Sequence, residues 1–306
     1  MALQRVPVAP SELGESPFWH PLERRLFWCD IQGRRIHAWD PASGASQSWD
    51  APSEPGCCAP TDRGRIVIGL RDGFGLLDTD SGHVTMLAAL DHDARSLRLN
   101  DGRCDSAGRF WAGSLFAPKT APEASLWRLH ATSDGYAVER MAGDCTTANG
   151  LAFSPDDQWM YWADTPAHRI DRFAFDPASG RLGARMPWKT FPARAEGQPY
   201  GGRPDGASVD ARGNYWVAMY EGGCVLQLSP EGELLQRLET PVRCPTMVCF
   251  GGEDLRTLYI TSAAHGRPEA ERTGAVPAGS LLQCRVDVPG RPVHFFKESA
   301  AAPGWG

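Results

Sequence analysis

The chain of 306 residues carries 31 Lys and Arg against 37 Asp and Glu, a formal net charge of −6. Phosphate backbones need clustered positive charge, so this balance predicts no nucleic-acid partner; no apolar run approaches about 18 residues, which predicts no membrane span. Nine cysteines without a Cys-x-x-Cys pair, and eight histidines without His-x-His spacing, predict buried thiols in a reducing, cytoplasmic setting rather than a disulfide framework or a zinc centre. The N-terminus shows no basic segment followed by a hydrophobic stretch, so no leader is expected.

Along the chain, a short apolar run opens on a polar or small residue, crosses a turn, and is followed by a second run rich in Trp, Phe, Tyr and Ile. The first such unit opens at Glu15 and restarts at Leu26, followed by a third strand over Arg34-Arg35-Ile36-His37-Ala38-Trp39 and an Asp40-Pro41-Ala42-Ser43-Gly44 turn. The second opens at Gly56 and turns at Arg63-Gly64-Arg65; the third opens at Asn100 and turns at Ala107-Gly108-Arg109. The fourth opens at Asn149, turns at Asp156-Asp157-Gln158 and repeats the third-strand pattern over Ile170 to Phe175. The fifth opens at Asp205 and turns at Arg212-Gly213-Asn214, and the sixth opens at Thr246 and restarts at Leu258. Such turns supply positive φ at low cost, and the alternation of the third strands marks half-buried antiparallel pairing.

Openings recur every 41 to 56 residues, the size of a four-stranded blade, and periods of this order belong to propellers or solenoids. The expectation is one all-β domain over residues 1–306, with the 11 Trp filling wedges between twisted sheets. The last run, Gly279 to Val286 and then Val293 to Phe296, is expected to share a blade with Arg5-Val6-Pro7-Val8, and the Ala- and Gly-rich tail 298–306 is expected to fray.

In a propeller every innermost strand begins at the same face of the channel, so Glu15, Asn100, Asn149 and Asp205 converge there. Two carboxylates in a confined mouth repel unless a cation or a proton lies between them. With amide oxygens beside them the set suits a hard divalent ion such as Ca²⁺, Mg²⁺ or Mn²⁺, while Fe²⁺ and Zn²⁺ also accept such ligands. Three or four protein ligands would leave coordination positions open for water or a carbonyl oxygen.

The segments Leu13-Gly14-Glu15-Ser16-Pro17, Arg98-Leu99-Asn100-Asp101-Gly102, Ala148-Asn149-Gly150-Leu151-Ala152 and Arg203-Pro204-Asp205-Gly206, in this order and in phase with the repeat, resemble the senescence marker protein (regucalcin), gluconolactonase and luciferin-regenerating enzyme family. The resemblance runs on to Cys249-Phe250-Gly251-Gly252 and Tyr259-Ile260-Thr261-Ser262-Ala263. It implies a six-bladed β-propeller of four-stranded antiparallel blades, one divalent metal ion at the channel mouth, and hydrolysis of sugar lactones. By the same resemblance Glu15, Asn149 and Asp205 fall on metal-ligand positions, and Arg98 and Asn100 on substrate-binding positions. Asp205 is the candidate base, Arg98 the candidate partner of developing negative charge, and Asn100 orients substrate hydroxyls or water.

One departure bears on specificity. Where animal regucalcin-like members carry an acidic segment, Ala112-Gly113-Ser114-Leu115 runs into Phe116-Ala117-Pro118-Lys119, so the lid is expected to be less acidic and more apolar. Segments 116–125, 192–202 and 264–279 are the expected pocket walls. The leading expectation is a sugar lactonase acting on a glucono-, galactono-, xylono- or arabinono-lactone. The alternatives are another lactone, ester or phosphoester hydrolysed at the same metal, and a non-catalytic calcium-binding regulator. Oligomeric state has no readable signal.

Overall fold

The computed structural model describes residues 2–301. Among these, the predicted runs form six four-stranded antiparallel sheets. The first holds Gly14–His20, Arg25–Asp30, Arg35–Trp39 and Ser46–Asp50, ordered from the centre outward. The other innermost strands are Cys57–Pro60, Leu97–Cys104, Ala148–Phe153, Arg203–Val209 and Pro245–Gly251, giving the six-bladed propeller expected from the resemblance. The turns behave as their residues dictate: Gly64, Gly108, Asp157 and Gly213 all have φ between 56° and 86°.

Two hairpins carry the same buried clamp. Asp105 accepts from the backbone N–H of Ala107 and Arg109 and from Trp111 Nε1, and Asp210 accepts from Arg212, Asn214 and Trp216 Nε1 in the same pattern. One carboxylate thus satisfies a tight turn and the indole of the next strand, whose donors would otherwise be buried unpaired. The two indoles then cross to the next blade, Trp111 meeting Phe153 edge-on at 6.2 Å and Trp216 meeting Phe250 at 6.0 Å. Such pairs add about 0.5–1.5 kcal/mol each beyond their buried area and hold the blades at a fixed angle.

Closure matches the expectation in part. Gln4–Arg5 pairs with Leu282–Arg285 as the outermost strand of the last blade, and Val6 donates to Leu281 O, so chain start and chain end share one sheet. The segment Val293 to Phe296 does not join that blade. It crosses the far end of the channel, where Arg291, Val293 and His294 line a cavity of only about 60 Å³ with Trp19, Phe153, Val209 and Phe250, residues at or near the far ends of innermost strands. Phe296 then bridges to Thr61 in the second blade.

The expected fraying is corrected for Glu298 and Ser299, which are buried. Glu298 accepts from Thr61 Oγ1 and pairs with Arg65, while Ser299 donates to Thr132 O; residues 302–306 of that expectation lie outside the described residues. The C-terminal segment therefore caps one mouth of the channel and leaves the other for ligand. No helix of the described chain is long and apolar enough to cross a membrane.

Candidate active site

The open mouth is built by a repeated irregularity. In five of the six blades the innermost strand slips register against its neighbour at or just after the opening residue: between Glu15 and Phe18, Leu99 and Gly102, Asn149 and Ala152, Pro204 and Ala207, and Pro245 and Val248. A bulge leaves one residue out of the ladder and re-aims its side chain. The second blade pairs without a slip, from Cys57 with Gly69 to Pro60 with Ile66, and its opening residue is Gly56. A Cβ there would lie 2.2 Å from Leu99 O, so that blade contributes close approach to its neighbour instead of a side chain.

Two buried aspartates set where the openings begin. Asp30 accepts from the N–H of Glu12 and Leu13, and Asp164 accepts from the N–H of Thr146 and Thr147. Each pair of amides lies just ahead of a bulge, so Glu15 and Asn149 emerge two residues after an anchored backbone. At Asn149 the bulge is held further by Tyr215, whose hydroxyl donates to Gly150 O at 2.6 Å. Gly150 itself has φ 60°, and a Cβ there would sit 2.3 Å from that hydroxyl.

The structure brings Glu15, Arg98, Asn100, Asn149 and Asp205 into one pocket of about 350 Å³, within the range of small-molecule sites. All five are less than 9 % exposed. Thr246, the remaining polar opening residue, does not line it. Its hydroxyl bonds Gly14 O and Thr261 Oγ1 and so ties the last blade to the first.

A chain of hydrogen bonds fixes the amides. Arg98 Nη1 donates to Asn100 Oδ1 at 2.7 Å, Asn100 Nδ2 donates to Asn149 Oδ1 at 2.8 Å, and Asn149 Nδ2 donates to Thr165 Oγ1 at 2.8 Å. Thr165 Oγ1 in turn donates to Pro204 O, next to Asp205. Each amide is thereby oriented, and Asn149 Oδ1, which accepts from Asn100 Nδ2, has the capacity for a second contact.

The carboxylates are held under tension. Burial raises the Glu15 carboxyl well above the usual range, with Asp205 and Asp101 adding to the rise and Arg98 opposing it. Burial, then Asp101, pushes Asp205 up to about 8 against Arg203, Lys119 and Arg98. Burial lowers Arg98 to about 10, which still leaves it cationic at neutral pH. Among the described residues neither Glu15 nor Asp205 forms an ion pair, although both carboxyls face the same pocket. Two carboxyl groups that would ionise on binding a cation and one oriented amide oxygen, without thiolate or imidazole, are a donor set that fits a hard divalent cation. Among the described residues no three His, Cys, Asp or Glu side chains are grouped so that they could hold a metal ion by themselves, so an amide oxygen would complete such a set.

Sequence reasoning missed several residues here. Thr165 orients Asn149 but reads in sequence as an ordinary turn residue after a strand. Arg71 and Tyr220 line the pocket from the second and fifth blades, with Arg71 held by a bidentate pair to Glu54. The Trp-x-Asp endings at Asp30 and Asp164, repeated at the close of a second strand, were the available signal for the two backbone anchors. The expected walls are corrected as well: 116–125 and 264–279 contribute Ala117, Lys119 and His265, whereas 192–202 contributes nothing, and the wall nearest Lys119 is charged rather than apolar.

Comparison with known proteins follows the same lines. The chain is 43 % identical to 6-deoxy-6-sulfogluconolactonase of Pseudomonas putida over 94 % of its own length and 96 % of that protein. It is 34 % identical to a pentonolactonase of Haloferax volcanii, covering 95 % and 97 % of the two chains. Among solved structures, the calcium-binding protein regucalcin from Agrobacterium tumefaciens superposes with a TM-score of 0.87 at 27 % identity, covering 96 % of this chain and 97 % of that one. Residues 13–264 match the family described as SMP-30/Gluconolactonase/LRE-like region, and the chain belongs to that family.

Proposed function

We propose that this protein is a metal-dependent hydrolase that opens sugar lactones to aldonic acids, with Glu15, Asn149 and Asp205 holding one divalent ion and Arg98 and Asn100 contacting substrate. The observation that carries it is the meeting of two unpaired buried carboxylates with an oriented amide oxygen and a buried guanidinium in one pocket. Membership of the family and similarity to proteins named as sugar lactonases support the same reading.

When bound, a divalent ion at such a site supplies Lewis acidity toward a carbonyl or a water. The protein's own residues do the rest. Arg98 Nη1 is committed to Leu99 O and Asn100 Oδ1, so the guanidinium is held in place at the pocket wall and its remaining N–H groups are pre-oriented for the oxygen on which negative charge develops as the ester carbon is attacked. Asp205 takes the proton of the attacking water; its burial keeps proton affinity high, and a strained lactone asks for only modest base catalysis. Asn100 and Asn149 lock each other, so the substrate meets a rigid floor. Capping of the far mouth by the C-terminal segment leaves one entrance.

The test is hydrolysis of glucono-, galactono-, xylono- and arabinono-lactones by chelator-stripped protein, with Ca²⁺, Mg²⁺, Mn²⁺, Fe²⁺ and Zn²⁺ restored singly and spontaneous opening subtracted. Turnover that returns with metal and is lost in Asp205→Ala supports the proposal. Tight metal binding without turnover of any lactone would instead point to a calcium-binding regulator.

A further inference from the structure

The rim of the open mouth holds more positive charge than a neutral sugar can use. Four cationic side chains line the pocket: Arg71, Arg98, Lys119 and Arg203. Arg71 is neutralised by Glu54, whose carboxyl the pairing holds down at about 2. Arg98 is buried and committed to the floor. Lys119 and Arg203 remain. Among the described residues Lys119 has no ion-pair partner, and Arg203 shares the single carboxylate of Glu221 with Arg194, at 3.1 Å and 3.3 Å. Arg203 Nε is buried with no hydrogen-bond partner.

These two cations are aimed by the fold. Arg203 lies two residues before Asp205 on one innermost strand and lines the same pocket, and its guanidinium sits over the Tyr220 ring at 5.3 Å. Lys119 follows a turn closed by its own N–H donating to Phe116 O at 3.0 Å, with φ 56°. Burial lowers the Lys119 ammonium, and Arg203 and Arg98 lower it further, against Asp205 and Glu221. Lys119 and Arg203 line the same pocket, so like charges share one rim. The repulsion is relieved by an anion placed between them, and charge-assisted contacts of this kind are the strong ones.

We infer that Lys119 and Arg203 form an anion-reading edge, and that the lactone this site prefers carries a second, strongly acidic group, a sulfonate, phosphate or carboxylate, at the far end of its carbon chain. The inference rests on the lactonase proposal for the reaction but not for the binding: the edge holds the acid group of the ring-opened product as well. A neutral hydroxymethyl end leaves Lys119 unpaired, whereas an acidic end adds one contact to each cation.

The experiment compares two readouts in the metal-loaded protein. One is the kcat/KM ratio of acidic to neutral lactone, using 6-phosphogluconolactone and 6-deoxy-6-sulfogluconolactone against gluconolactone. The other is calorimetric binding of 6-phosphogluconate, 6-deoxy-6-sulfogluconate and glucarate against gluconate, which needs no turnover. Both acidic ratios are expected to exceed one in the wild type and to shrink with added salt. Lys119→Ala should cut them roughly tenfold, the scale of a lost hydrogen bond to a charged group, Lys119→Arg should restore them, and Lys119→Glu should invert them. Which acid gains most separates sulfonate from phosphate and carboxylate. Wild-type ratios at or below one, or an equal loss for acidic and neutral ligands in Lys119→Ala, overturn the inference. Neutral lactones turned over without acidic preference would leave the lactonase proposal standing; acidic products bound preferentially without any turnover would do the reverse.

Discussion

Asn100 Nδ2 lies 2.8 Å from Asn149 Oδ1, and this contact joins two blades whose opening residues are 49 positions apart in the chain. It makes the orientation of one amide depend on the other. Arg98 fixes the first and Thr165 fixes the second, so the two pocket amides are set by one continuous network.

Thr165→Val removes the acceptor of Asn149 Nδ2 while keeping the shape of the side chain. The Asn149 amide is then held by Asn100 alone, and metal affinity should fall about 10- to 100-fold, the usual effect of losing a partner behind a ligand. Calorimetric titration of the stripped protein checks this; an unchanged affinity would separate Asn149 from metal binding.

Without metal, Glu15 and Asp205 make the protein sensitive to alkali. Both carboxyls titrate in the unfolded chain near about 4 and are raised on folding, Asp205 to about 8. Between those values the folded state binds more protons than the unfolded one, so stability falls as pH rises through the window and levels off above it. Melting temperatures of chelator-stripped protein should decline from pH 5 to pH 8, values within that window. Asp205→Asn should flatten the decline, and saturating metal should reverse it. A stripped protein that gains stability over that range contradicts the coupling.

Gly56→Ala places a methyl group 2.2 Å from Leu99 O, against backbone that cannot rotate away. The expected cost is about 1–3 kcal/mol of stability. Because the clash pushes on the residue before Asn100, KM should rise as well. Denaturant unfolding together with initial-rate kinetics tests both, and a variant with wild-type midpoint and KM would show that the two blades have room to part.

Glu298→Ala leaves Thr61 and Arg65 without their buried acceptor at the capped end. A loss of about 1–3 kcal/mol is expected, with kcat unchanged because the cap faces away from the reacting groups. A fall in kcat at full folding would mean that the cap acts on the open mouth.

How far the sequence reached is a matter of distance along the chain. Glu15, Asn100, Asn149 and Asp205 were legible because the repeat assigns each the same place in its blade, and a shared place in six blades is a shared place around a ring. Arg98 required the family resemblance, since nothing in its spacing distinguishes it from a surface arginine. Thr165, Arg71 and Tyr220 lie at or just past the end of the second strand of their blades, a place the repeat does mark, but the residue type there changes from blade to blade, so nothing in the sequence singles them out. Thr246 fitted the pattern and yet turned into the seam between first and last blades. The run Val293 to Phe296 is expected beside Arg5 to Val8, but its last residues find better burial across the far mouth, where Phe296 is fully covered and Glu298 meets Arg65.

The most direct measurement is anomalous scattering from crystals of protein stripped and reloaded with Mn²⁺, collected alongside lactone turnover of the same preparation. One strong peak is expected within about 2.0–2.6 Å of oxygens from Glu15, Asn149 and Asp205, absent in Asp205→Ala together with activity. Full lactone turnover from protein with no ion at that position, or an ion bound elsewhere that restores activity, would contradict the assignment.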